Sequence, residues 1–177
     1  ARRELLNSLI YTQPLHSLGT VDDHGRLSLL EGVLRVVDPA GGEKLRFEPA
    51  RYRDHIGERA EPWTNVKLTY LTAPGWDGLR AGDGSGVYAV GPLARLNCCD
   101  GLSTPLAQQA FEDLFDSFSR RRGDGRYEPI HNRLLTHAAR LVEQLWAAER
   151  MLEIASDPEL THPDVRRPVP ACPVVRE

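Results

Sequence analysis

The groups that could do chemistry are few. Cys98 and Cys99 are adjacent, and Cys172 stands apart near the end of the chain. Neighbouring side chains on a strand point to opposite faces, so a vicinal pair is poorly placed to chelate one ion. CxxC spacing is absent, and two small buried hydrophobes are the simpler reading. His131 and His137 lie six apart, on different faces of a helix, unlike the i, i+4 pair of a zinc-binding helix. His137 precedes the apolar Ala138, which suits a buried, hydrogen-bonded role. His16, His24, His55 and His162 fall in or near turns and helix surfaces. Glycines at 75, 78, 82, 84 and 86 mark a loop that needs positive φ or close backbone approach. That loop has neither the Gly-Lys-Ser/Thr ending of a phosphate loop nor dinucleotide-fingerprint spacing. No Gly-x-Ser-x-Gly elbow occurs. The residues alone therefore show no catalytic constellation. The more specific segment is Gly91-Pro92-Leu93-Ala94-Arg95-Leu96-Asn97, with Asp100 and Thr104-Pro105 behind it. Arg95 follows an apolar run and needs a partner if buried, as an ion pair or as a polar group lining a site.

The elements that must position these groups belong to one soluble domain's worth of chain. There are 177 residues, 41% hydrophobic and 27% charged. No apolar run approaches the ~20 residues of a membrane span. No basic start followed by an apolar stretch marks a secretion signal. A net charge of -3 argues against nucleic acid as partner. Three cysteines cannot build a disulfide scaffold, which suggests a reducing compartment. Lys44 and Lys67 are the only lysines among 22 basic residues, a bias that GC-rich coding explains.

Leu5, Leu6, Leu9 and Ile10 suit a helix end broken at Gln13-Pro14. Residues 16–48 read as an antiparallel β meander, with strand candidates at Leu18–Val21, Arg26–Leu29, Val33–Val37 and Lys44–Phe47. Pro49 opens a short helix over 49–61, with Tyr52 and Ile56 paired. Residues 62–104 read as extended segments and loop. A helix is expected over 105–122, capped by Thr104, with Leu106, Ala110, Phe111, Leu114, Phe115 and Phe118 on one face. Arg120-Arg121-Arg122 would close it as a solvated cationic end. A second helix over 129–157 carries Ile130, Leu134, Ala138, Leu141, Leu145, Ala148, Leu152 and Ala155, a stripe of about 27 residues or roughly 40 Å. Residues 158–173 read as Pro-rich and extended. The fold class expected is α+β, a mainly helical bundle with a small antiparallel β meander near the N-terminus, incomplete as a domain. The long helix and the Phe111/Phe115/Phe118 face are expected to pack on further chain, and the isolated piece to aggregate.

The 91–97 segment resembles the GPLAR-x-N signature of the large (alpha) subunit of nickel–iron hydrogenases. The likeness is nearest the cytoplasmic, bidirectional, NAD(P)-coupled branch. Leu30–Asp38 resembles that family's hairpin, Glu61–Lys67 its Glu-Pro-Trp segment and Gly86–Val90 its approach to the signature. Asn97, Asp100 and Thr104–Ala107 follow in order, then Asp157–Leu160. The chain departs from the pattern at His137-Ala138-Ala139-Arg140, where Trp is usual at the second position, and at Lys67-Leu68-Thr69-Tyr70. The resemblance implies reversible H2 cleavage by the parent, with a Ni–Fe centre held by two CxxC motifs. Neither motif occurs here, so residues 1–177 would be a central part that binds no metal and is inactive alone. Its implied partners are NAD(P)-reducing diaphorase subunits together with an iron–sulfur small subunit. Gly91, Pro92, Arg95 and Asn97 would be supporting residues near the core. Two alternatives stand beside this: a metal-free relative in a respiratory quinone oxidoreductase, and a non-catalytic scaffold module.

Overall fold

The computed structural model describes residues 9–163. Leu5, Leu6, Cys172 and most of the Pro-rich 158–173 stretch lie outside them. Strand β1 (His16–Val21) pairs antiparallel with β2 (Val33–Val37), and β2 with β3 (Glu43–Phe47). This is the expected meander with one strand fewer. Residues 26–29 make only an isolated bridge, Leu27 to Val21, because the chain turns away to bond Gly101.

Two aspartates fold the connections. The Asp22 carboxylate accepts from the backbone N–H groups of His24 and Arg26, each at 2.8 Å. Asp38 does the same for Ala40 at 2.9 Å and Gly42 at 2.8 Å. A two-residue strand, β4 (Tyr88–Ala89), adds to β1 in parallel, so the sheet order is β3-β2-β1-β4.

Residues 49–61 do not form one helix. A 3-10 turn (Pro49–Arg51) leads into a single helical turn, α1 (Tyr52–His55), and then a strand, β5 (Ile56–Arg59). That strand pairs with β6 (Leu68–Leu71) as a separate ribbon. Ile56 N–H still donates to Tyr52 C=O, but Ile56 turns to extended backbone and pairs with Leu71, which ends the helix after one turn.

Three longer helices complete the described residues: α2 (Pro92–Cys98), α3 (Pro105–Phe118) and α4 (Thr136–Ala155). The architecture is mixed α/β, with four helices and two small sheets, and not a mainly helical bundle. The period-2 rule divides the larger sheet between two cores. Val21 and Val33 contribute to the core built by α2, α3 and α4, whereas Leu18, Leu34 and Val36 join Phe47, Leu71 and Ile56.

Helix α3 stops at Phe118, short of the arginine triplet. Residues 120–128 then double back, with Arg121 bridged to Tyr127 and its guanidinium 4.3 Å from that ring's centre. The Phe111/Phe115 face does not wait for further chain. Both rings are buried, 4.5 Å apart, with Tyr127 5.1 Å from Phe115. Thr104 sits at the N-cap but its side chain makes no cap bond. Glu149 of α4 does that work, accepting from Leu106 N–H at 3.0 Å and Ala107 N–H at 2.8 Å.

Helix α4 has 20 residues, about 30 Å, and is preceded by extended chain and a 3-10 turn (Arg133–Leu135). Asn132 caps that turn, accepting from Leu134 N–H at 3.0 Å, and so delays the helix. Its buried line is Ala139, Val142 and Glu143, about one residue round from the predicted stripe. Leu141 and Leu152 of that stripe are exposed, as are Met151 and Ile154.

Candidate functional site

The 91–97 segment is a helix. Gly91 precedes it at φ 98°, ψ −173°, a region open essentially to glycine alone. Pro92 then fits the first helical position, where its missing N–H is not needed. Leu93, Ala94, Leu96 and Cys98 are buried. The helix lies close on β1 because Gly19 offers no side chain. A Cβ there would stand 2.9 Å from the Arg95 Cα and 3.0 Å from the Cys98 Cβ. Gly91→Ala should cost about 1–3 kcal/mol of unfolding free energy in chemical denaturation, with little change in denaturant dependence.

Arg95 points from α2 to α4. Its Nε and Nη2 donate to the two oxygens of Glu143, both at 2.7 Å. The Glu143 side chain is 9% exposed and that of Arg95 29%. The hydrogen bonds to Glu143 raise the guanidinium above its ordinary value, against the effect of burial. Of the two readings the sequence left open for Arg95, the geometry is that of an ion pair between helices.

Asn97 is bonded on both sides of its amide. Its Oδ1 accepts from Ile130 N–H at 2.9 Å, and its Nδ2 donates to Ile130 C=O at 3.0 Å and to Ser17 Oγ at 3.3 Å. It thus acts as a strand partner for the chain entering α4. Asn97 also lies between two spaces. A cavity of about 240 Å³ is lined by Arg35, Asp100, Arg126 and Tyr127, and an apolar cleft of about 450 Å³ by Leu93, Ala94, Tyr88 and Ile130.

Sequence reasoning missed the ionic cluster under α2. Arg35 is buried, its side chain 1% exposed. Its Nη1 donates to Asp100 Oδ1 at 3.0 Å, and its Nε lies 2.7 Å from Glu43 Oε2. Arg126 donates to Asp100 Oδ2 at 2.8 Å, and Arg46 to Glu43 at 2.9 and 3.0 Å. Hydrogen bonds from Arg46 hold the Glu43 carboxyl below its ordinary value. Burial opposes them, and the Arg35 charge assists. A charged residue inside the apolar run Val33–Val37 was the available signal, since β2 alternation turns Arg35 to the helix side.

The thiols are chemically quiet. Cys98 ends α2 and Cys99 follows it, rather than standing on a strand, and both are buried and free. Cys99 Sγ donates to Leu96 C=O at 3.4 Å. Burial pushes the Cys99 thiol up to about 12 and Cys98 also upward. A thiol reagent at neutral pH should therefore label these two cysteines no faster than the protein opens, and fast labelling would contradict the burial. His137 is exposed rather than buried, whereas His16 is buried in β1 rather than in a turn. His131 Nε2 lies 2.9 Å from Pro39 C=O, far from any shared ligand role with His137. Among the described residues, no group of three or more His, Cys, Asp or Glu side chains could hold a metal ion. No helix there is long and apolar enough to cross a membrane.

No family model matches the chain. It is 44% identical over 163 residues to an iron–sulfur subunit of the F420-non-reducing hydrogenase of Archaeoglobus profundus, covering 92% of this chain and 32% of that protein. It is 35% identical over 166 residues to a vhu subunit of the F420-non-reducing hydrogenase of Methanococcus voltae, covering 90% of this chain and 36% of the relative. Among solved structures it resembles an NAD+-reducing [NiFe]-hydrogenase in the H2-reduced state, with a TM-score of 0.70 and 29% identity, over 88% of this chain and 32% of that one. The chain thus spans about a third of the length of each protein it matches.

These findings keep the hydrogenase likeness and correct the subunit. One of the two relatives is named as an iron–sulfur subunit, the other as a vhu subunit, and neither name is that of a nickel–iron large (alpha) subunit. The reading of this chain as part of the large H2-splitting subunit falls with it. The physical reason is what the signature encodes. Residues 91–97 form a helix packed on a strand glycine, with one ion pair and one amide bridge. Such a segment marks a piece of fold and carries no metal thiolate. The quinone-oxidoreductase and stand-alone scaffold alternatives gain no support from the same relatives.

Proposed function

We propose that this chain is a structural portion of a hydrogenase-associated subunit, of the kind named in its relatives, working inside a multi-subunit, hydrogenase-related oxidoreductase. The observation that carries this is the 44% identity over 163 residues to such a subunit. A TM-score of 0.70 to a chain of an NAD+-reducing hydrogenase structure supports it. The complex's metal or iron–sulfur centres would be held outside residues 9–163. Its electrons would pass through further subunits, including iron–sulfur and NAD(P)-reducing ones, in the cytoplasm. Within it, residues 1–177 belong to one larger domain. Gly91, Pro92, Arg95 and Asn97 act as supporting residues: Gly91 and Pro92 start the helix, Arg95 ties it to α4 and Asn97 ties it to the chain before α4.

The test is purification of the native protein under anaerobic conditions. Co-purification with other hydrogenase subunits, together with H2-dependent reduction of a viologen dye, is expected. Purification without partners and without H2-dependent dye reduction would overturn the reading.

A further inference from the structure

The glycine-rich segment 73–86 is a strap with a clasp. Its ends are closed on themselves: Leu71 N–H donates to Gly86 C=O at 2.8 Å, Gly86 N–H to Gly75 C=O at 3.0 Å, and Gly75 N–H to Leu71 C=O at 3.2 Å. Gly75, Gly78 and Gly82 have positive φ, and a Cβ on any of them would meet open space. These glycines therefore shape the strap and do not pack it. Near the strap's far end, Gly82 N–H donates to Pro14 C=O at 2.9 Å. Asp83, beside it, reaches His16 Nε2 at 3.4 Å and Lys44 Nζ at 3.2 Å. Beneath lies a cavity of about 380 Å³, lined by His16, Lys44, Leu71, Pro74 and Asp83 among others.

His16 is 1% exposed, and its Nδ1 is buried with no hydrogen-bond partner. The charged groups facing it are Asp83 on the strap, Asp38 on the β2–β3 turn and Lys44 on β3. Tyr88 of β4 stands beside it in register, its hydroxyl donating to Thr69. A carboxylate can only accept, so a neutral His16 donates through Nε2 to Asp83 and keeps a bare lone pair at Nδ1. Protonation adds an N–H at Nδ1 that finds no acceptor while the strap is closed. With the strap open, water accepts it.

We propose that His16, Asp83 and Lys44 form a pH-gated clasp, which holds the 73–86 strap over this cavity at neutral pH and releases it in mild acid. Burial lowers the His16 imidazole from its ordinary value of 6.5, outweighing the opposite pull of Asp83 and Asp38. The open form therefore binds the proton more tightly than the closed form. The clasp is at full strength above 6.5 and weakens as pH falls from there toward the lower closed-state value.

Backbone hydrogen exchange of the native protein, read by mass spectrometry on peptides covering 73–86 and corrected for intrinsic exchange chemistry, tests this. Relative to helix α3, the strap should lose protection several-fold on acidification below pH 6.5, with about tenfold per pH unit as the ceiling. His16→Gln should abolish that pH dependence. Asp83→Asn, at an exposed position, should leave the strap poorly protected at every pH, whether or not the His16 variant folds. Protection independent of pH in the unmodified protein, or unchanged in Asp83→Asn, overturns the proposal.

Discussion

Arg95→Met should lower the unfolding free energy by about 3 kcal/mol, read from urea denaturation midpoints. The loss comes from what is left behind. Glu143 has 9% of its side chain exposed, and both its oxygens take their bonds from Arg95. Without the guanidinium it is a carboxylate with little water and no counter-charge. Arg95→Lys should recover only part, because an ammonium cannot match the fork of two 2.7 Å bonds. The double variant Arg95→Met/Glu143→Leu should be markedly more stable than Arg95→Met alone. Apolar replacement of both partners removes the stranded charge. A double variant no better than the single would show that the pair matters only through packing of the arginine stem.

Asp100→Ala should be at least as damaging, with about 3 kcal/mol lost and no recovery from high salt. Arg35 is buried and would keep only Glu43 as counter-charge, while Arg126 would lose its carboxylate. Exposed ion pairs are screened by salt and contribute little; here the guanidinium side is shielded, Arg35 being 1% exposed, although Asp100 is 34% exposed. The cluster's acid limb has a fixed sign. Glu43 titrates lower folded than unfolded, so its contribution is complete above the ordinary 4.5 and fades as pH falls through the folded value. Urea midpoints for Asp100→Ala equal to those of the unmodified protein would refute the cluster's role.

The meander was legible because its strands alternate and its turns carry Asp and Gly at positions that need them. The helix over 92–98 was not. Its seven residues follow a β-like run, and nothing local distinguishes them from more strand. Only Gly19, 76 residues before Arg95 in sequence, makes room for a helix there. The ends of α3 and α4 were misplaced for a related reason. Tertiary bonds, from Tyr127 and Asn97 in particular, hold the neighbouring chain out of helix. Arg95 was singled out from sequence, but Glu143 was not. One glutamate on an amphipathic helix looks like any other until its partner is known. Cys98 and Cys99 read from sequence as small buried hydrophobes and are buried, at a helix end rather than on a strand.

The pairing of Arg35 with Asp100 also has a meaning in time. The two are 65 residues apart in sequence, and Arg35 sits in the part of the chain made first. Glu43, on β3 of the same meander, gives that buried cation one carboxylate as soon as the third strand is made. A ribosome delivering residues at about 5–20 per second supplies the second carboxylate, Asp100, several seconds later. The meander can therefore pair on its own charges, and the chain beyond α2 completes the neutralisation when the helices dock.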